Sequence, residues 1–161
     1  TGHHDVEQDK IDGIGRQRRA RGGGTVGHVE GQYAGFAPER TRLRGESLDN
    51  VQVVEGEPHD PKLAPGSLDA AVLVHMYHEI ADPFSLLWNL HDSLKPGARL
   101  AIIDADRPTE RHGTPPALLQ CELEATGYRL LKTERLAGGS YISVFEPTTR
   151  PTPQMIEPCK A

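Results

Sequence analysis

At 161 residues the chain has room for one domain with a real core and none for a second. Its formal net charge of −5 at pH 7 excludes a general nucleic-acid surface, which needs a basic field, and favours a small neutral or cationic ligand. No apolar run approaches the roughly 20 residues that cross a bilayer, and the polar start Thr1–Asp5 lacks a signal-peptide core, so no membrane partner is expected. Cys121 and Cys159 are the only cysteines, too few for a disulfide framework, and a reducing, cytoplasmic setting is the expectation.

Residues 1–24 combine Arg16, Arg18, Arg19 and Arg21 with three consecutive glycines and few apolar side chains, which reads as a flexible, solvated segment. Thr25–Glu30 is β-rich and predicts a short strand; Phe36–Ser47, with Leu43 on one face, predicts a charged surface helix. Val51–Val54 is a further β-branched run, stopped at Gly56-Glu57-Pro58 because proline cannot continue a ladder. Leu68–Val74 is nearly all apolar, as a central strand buried on both faces would be.

Asp82-Pro83 offers an N-cap followed by a proline at the first helical position, and Phe84, Leu87, Leu90 and Leu94 make one helical stripe ended by Lys95-Pro96-Gly97. Leu100–Ile103 predicts the next strand. Thr114-Pro115-Pro116 opens a helix with Leu118, Leu119, Leu123 and Ala125 turned inward, stopped by Gly127, and Cys121 on that helix reads as core. Tyr128–Leu136 and Tyr141–Phe145 are β-rich runs separated only by Ala137–Ser140, too short for a parallel crossover, so these strands must be antiparallel neighbours. Residues 148–161, with three prolines and few apolar groups, read as a disordered tail. The expected fold class is α/β: a Rossmann-like, mostly parallel sheet closed by an antiparallel C-terminal hairpin.

Alternating strands and helices that close on a hairpin, rather than on further parallel strands as in dinucleotide dehydrogenases, carry a resemblance. Val26–Glu30, Leu48–Pro58, Pro65–Asp69, Tyr77-His78-Glu79, Leu94–Leu100 and Glu122–Tyr128, in this order and spacing, resemble the class I S-adenosylmethionine-dependent methyltransferases over roughly residues 25–147. The resemblance implies S-adenosyl-L-methionine as cofactor and methyl transfer to a small-molecule acceptor. It places Glu30, at the end of the second strand, on the ribose hydroxyls, where a carboxylate can accept both hydrogens. Gly56 and Glu57 fall beside the adenine, and Val74, His75 and Met76 pass along the cofactor.

The family's glycine-rich turn after its first strand has no clear copy. Ile11-Asp12-Gly13-Ile14-Gly15 is nearest, but it lacks an apolar strand before it, and only 18 positions separate Asp12 from Glu30. That first strand normally lies between the second and the fourth, so it is expected to be missing or irregular here. The alternative reading is therefore a truncated, non-catalytic remnant or an interaction module.

Methyl transfer from a sulfonium needs alignment and a dry pocket, with a base where the acceptor must lose a proton. His75 or His78 at the end of the fourth strand could serve as that base, Asp104 at the end of the fifth could orient a substrate, and His112 could face it from the next loop. His75-x-x-His78-Glu79 also offers two imidazoles and a carboxylate, but it matches no zinc signature and side chains three apart at a strand end diverge, so no metal is expected.

Overall fold

The computed structural model describes residues 57–159, with Val54, Gly56 and the backbone of three short strands, Gln17–Arg19 (β1), Thr25–Gly27 (β2) and Val51–Gln52 (β3). The remaining elements are β4 (Leu68–Val74), α1 (Pro83–Ser93), β5 (Leu94–Ala105), α2 (Pro116–Ala125), β6 (Tyr128–Arg135) and β7 (Ser140–Pro147). They build one sheet in the order β3-β1-β2-β4-β5-β7-β6. The predicted helix at 36–47 and the site residue Glu30 lie outside the described residues.

Parallel pairing is confined to the centre, at β2–β4 and β4–β5. β1 pairs antiparallel with both β2 and β3, so antiparallel pairing also occurs on the N-terminal side of the sheet. The cause is chain length: only residues 20–24 join β1 to β2, and a parallel crossover needs a dozen residues or more. β1 also puts a strand within the segment expected to be flexible throughout. β2, expected as the second strand, lies beside β4, in the place where the resemblance put the first strand.

The core follows from the two sequence periods. β4 buries Leu68, Ala71 and Leu73 fully but leaves Ala70, Val72 and Val74 half-buried, so its two faces are not equally covered as the apolar run led us to expect. α1 is capped as predicted, the Asp82 carboxylate accepting from the Ser85 amide at 3.1 Å. It packs Leu86, Leu87 and Leu90 inward. Leu94 already belongs to β5, because Pro96 holds the residue before it in extended backbone. Lys95-Pro96-Gly97 then form an irregularity between the Leu68–Leu94 and Ala70–Arg99 pairs rather than a separate stop. Along β5, Leu100, Ile102 and Asp104 share one buried face by the two-residue period.

β6 and β7 form the expected antiparallel hairpin, and β7 pairs antiparallel with β5. Its turn requires glycine, since Gly138 and Gly139 sit at φ +73° and +82°.

The C-terminal residues contradict the expectation of a disordered tail. The indole of Trp88 donates to the Pro151 carbonyl at 2.8 Å, the Arg150 guanidinium lies 3.3 Å from the centre of the same ring, and Arg150 pairs with Asp92. Cys159 is disulfide-bonded to Cys121. Cys121 is exposed rather than core, because it lies two residues from both Leu119 and Leu123, on the opposite side of α2. The pairing removes the ground for the reducing-compartment expectation. No helix among the described residues is long and apolar enough to cross a membrane.

His91, on α1, supports the same corner: its Nε2–H donates toward the carbonyls of Gly127 and Thr148 at 3.2 and 3.1 Å, with the ring edge-on to Tyr128. Burial holds its pKa below the ordinary 6.5, outweighing the two carbonyls that favour the charged ring. The unfolded chain thus binds this proton at higher pH than the folded one, and stability falls as pH drops from about 6.5 toward the lowered value. Urea midpoints measured between pH 8 and pH 5 should decline more steeply for the native chain than for His91→Gln. Equal slopes would contradict the assignment.

Candidate functional site

β4 and β5 end side by side, with Val74 opposite Ile103 and the His75 amide donating to the Ile103 carbonyl at 2.8 Å. The chain then turns sharply, and His75 takes a left-handed φ of +47°, a conformation that costs a non-glycine residue roughly 1–2 kcal/mol. This turn leaves His75 exposed and sends Met76 and Tyr77 into the core, at 5% and 3% exposure. Tyr77 anchors the helical turn Tyr77–Glu79 by donating to Glu122 on α2 at 2.8 Å. Burial, and then the neighbouring carboxylate, push the Tyr77 hydroxyl well above its ordinary pKa, so it stays a donor.

The turn delivers His78 onto Asp104. Its Nδ1 lies 2.9 and 3.1 Å from the two carboxylate oxygens, with the imidazole 7% exposed and Asp104 fully buried. Asp104 also accepts from the Thr114 hydroxyl at 2.9 Å and the Ala105 amide at 2.8 Å. Thr114 is fixed in turn: its amide donates to the Ala105 carbonyl at 3.0 Å, and its own carbonyl accepts from the Tyr141 hydroxyl at 2.8 Å. A carboxylate can only accept, so Nδ1 of His78 carries a proton toward Asp104, and Nε2 faces away from it toward Glu79.

Gly113 allows this closure, because a Cβ there would lie 2.4 Å from Cγ of Arg107 and 2.5 Å from the Ala105 carbonyl. The loop folds tightly back, placing His112 on the outer side and Thr114 on the inner. Nδ1 of His112 lies 3.1 Å from Oε1 of Glu79, and Nε2 of His78 lies 3.4 Å from the same oxygen.

Of the residues singled out in the sequence, His78 and Asp104 are joined directly. Asp104 is fully buried, and its carboxylate meets the His78 imidazole. Val74, His75 and Met76 line the tip of β4. Gly56 is buried, while the Glu57 carboxylate is exposed and engaged by Lys62 at 3.2 Å, in a turn closed by the Glu57–Asp60 backbone pair. Thr114 and Tyr141 escaped sequence reasoning. Thr114 before two prolines looks like a helix cap, yet Pro115 stands at the cap position without a side-chain cap bond. Its hydroxyl goes to Asp104 instead.

The place of these residues in the sheet is that of a ligand edge. From β2 the chain proceeds to β3 on one side, and from β4 to β5 on the other, so the strand order reverses between β2 and β4. Open α/β sheets bind ligands outside the carboxyl ends of the strands at such a reversal.

Residues 18–102 match the family model described as a methyltransferase domain. No curated protein matches the chain. Among solved structures, a SAM-dependent methyltransferase from Aquifex aeolicus is similar with a TM-score of 0.61 and 21% identity, over 66% of this chain and 60% of that one. The mitomycin 7-O-methyltransferase MmcR gives a TM-score of 0.60 and 21% identity, over 74% of this chain and 41% of that one. The PH0226 protein from Pyrococcus horikoshii OT3 gives a TM-score of 0.59 and 11% identity over 74% and 71%. The chain thus spans less than two thirds of the first two, and at these identities the likeness is one of fold.

Proposed function

The chain belongs to the methyltransferase-domain family, and from that premise we propose that it transfers a methyl group from S-adenosylmethionine to a small-molecule acceptor bearing an ionisable hydroxyl or amine. The Asp104–His78 pair at the carboxyl ends of β4 and β5 carries this reading. The residues present suit such a cofactor: β2 and β4 meet at the reversal of strand order, and the left-handed turn at His75 opens the β4 tip. Val74, His75 and Met76 would hold it on the β4 side and Gly56 and Glu57 on the β3 side, with Glu30 on the ribose. When bound, the cofactor supplies an electrophilic methyl group.

The chain's own contribution is proton handling and placement. His78 takes the acceptor's proton on Nε2, and Asp104 keeps Nδ1 protonated and shares the positive charge that results. A positioned base of this kind contributes roughly 10²–10⁴-fold to rate. Burial of the pair excludes water from the carboxylate, which strengthens its hold on the imidazole.

The competing reading, a non-catalytic remnant or interaction module, is favoured by one observation: β1 runs antiparallel beside β2, where the family's nucleotide edge is built from parallel strands. Calorimetric titration with S-adenosylhomocysteine separates the two. Saturable binding weakened at least tenfold by Glu30→Ala is expected, and absence of heat at millimolar ligand would favour the remnant.

A further inference from the structure

We infer that His78, Glu79 and His112 form a binding site for one divalent transition-metal ion of the zinc class. Their donor atoms all lie within 4.8 Å of one another. Oε1 of Glu79 is the hub, 3.4 Å from Nε2 of His78 and 3.1 Å from Nδ1 of His112, and the two rings stand edge to face with centroids 5.8 Å apart. An ion bound by two imidazoles and a carboxylate at about 2.0–2.2 Å draws its ligand atoms to separations of this order.

Two features distinguish this cluster from a chance meeting of polar side chains. Asp104 fixes His78 from behind through Nδ1, which is how metal-binding imidazoles are held in the tautomer that offers Nε2 outward. The other two ligands need no costly rearrangement, because the side chains of Glu79 and His112 are 45% and 79% exposed and can close on an ion. Two nitrogens and one oxygen suit zinc, cobalt or nickel, whereas magnesium and calcium ask for oxygen alone. Three protein ligands leave a fourth position for water or substrate, as in catalytic rather than structural zinc sites. The inference does not rest on the methyl-transfer reading, since the donors are present whatever reaction the domain performs. A bound ion takes the Nε2 lone pair of His78, so proton transfer to that nitrogen belongs to the metal-free chain.

The test is titration of the whole chain with Zn²⁺ by calorimetry and with Co²⁺ by visible absorption. Reductant and chelating buffer are left out, so that Cys121 and Cys159 stay paired and silent. One ion per chain is expected, with a Co²⁺ spectrum of four- or five-coordinate intensity. His112→Ala and Glu79→Gln, both exposed and harmless to folding, should each weaken binding at least tenfold. Asp104→Asn should weaken it about 10–100-fold through His78. Absence of binding at 100 µM metal would overturn the inference. So would binding that survives both surface substitutions at full affinity, which would put the ion on other histidines such as His3 and His4.

Discussion

Asp104→Ala should lower folding stability by about 3–5 kcal/mol, from the hydrogen-bond donors it leaves buried without a partner. The substitution strips a fully buried carboxylate and leaves three donors behind, Nδ1–H of His78, the Thr114 hydroxyl and the Ala105 amide. Each stranded donor costs roughly 1–3 kcal/mol, partly offset because the anion itself no longer has to be desolvated. Asp104→Asn separates stability from chemistry. Its Oδ1 can still accept from the Ala105 amide and from Nδ1–H of His78, and its Nδ2 can donate to the Thr114 hydroxyl, so most of the stability should remain. The negative charge behind the imidazole is lost, and with it the stabilisation of the imidazolium that proton transfer creates. Nitrogen-15 shifts of the His78 ring should therefore show protonated Nδ1 in both the native chain and Asp104→Asn. Methyl transfer to any acceptor the native chain turns over should fall by about 10²–10⁴-fold. Native turnover in Asp104→Asn would remove His78 from the role of base, and an unprotonated Nδ1 in the native chain would remove Asp104 from the role of orienting it.

These outcomes depend on residues whose legibility in the sequence differed sharply. The strands β4 and β5, the helix capped at Asp82 and the C-terminal hairpin were readable because each carries a local signal: an apolar run, a cap with proline, or a loop too short to cross over. His78 and Asp104 could be placed at adjacent strand ends for the same reason. Their contact could not, because it depends on the left-handed turn at His75, which no residue type at that position announces. Thr114 and Tyr141 were invisible for a related reason: their partners lie 10 and 27 residues away. The antiparallel β1 lies in an arginine- and glycine-rich stretch, where composition argues for a solvated segment and only pairing across the sheet makes a strand. The cluster of His78, Glu79 and His112 could not be read from spacing, because His112 comes from a loop that returns to the site only because Gly113 leaves room.

The Cys121–Cys159 disulfide is the other feature that composition argued against, and it predicts the second large effect. Reduction should destabilise the chain by up to about 4 kcal/mol, from the loop-closure entropy of the 38 residues that the bond spans. That figure is a ceiling here, because the tail has other holds: Arg150 on Trp88 and Asp92, and the Trp88 indole on the Pro151 carbonyl. Those contacts lie on α1, whereas the disulfide fastens the last described residues to the outer side of α2. Reduction should thus free the segment beyond residue 151 first, and the core between the sheet and the helices should unfold at lower denaturant afterwards. Guanidinium unfolding with and without reductant is the direct check, and the midpoint should fall on reduction. Cys121→Ser and Cys159→Ser should each reproduce the fall, with no further loss in the double variant, since either one opens the same loop. Hydrogen exchange should meanwhile rise around residues 153–159 while β5 and β7 stay protected. Identical midpoints in oxidised and reduced chains would mean that the bond constrains nothing that the Arg150–Trp88 contact does not already hold.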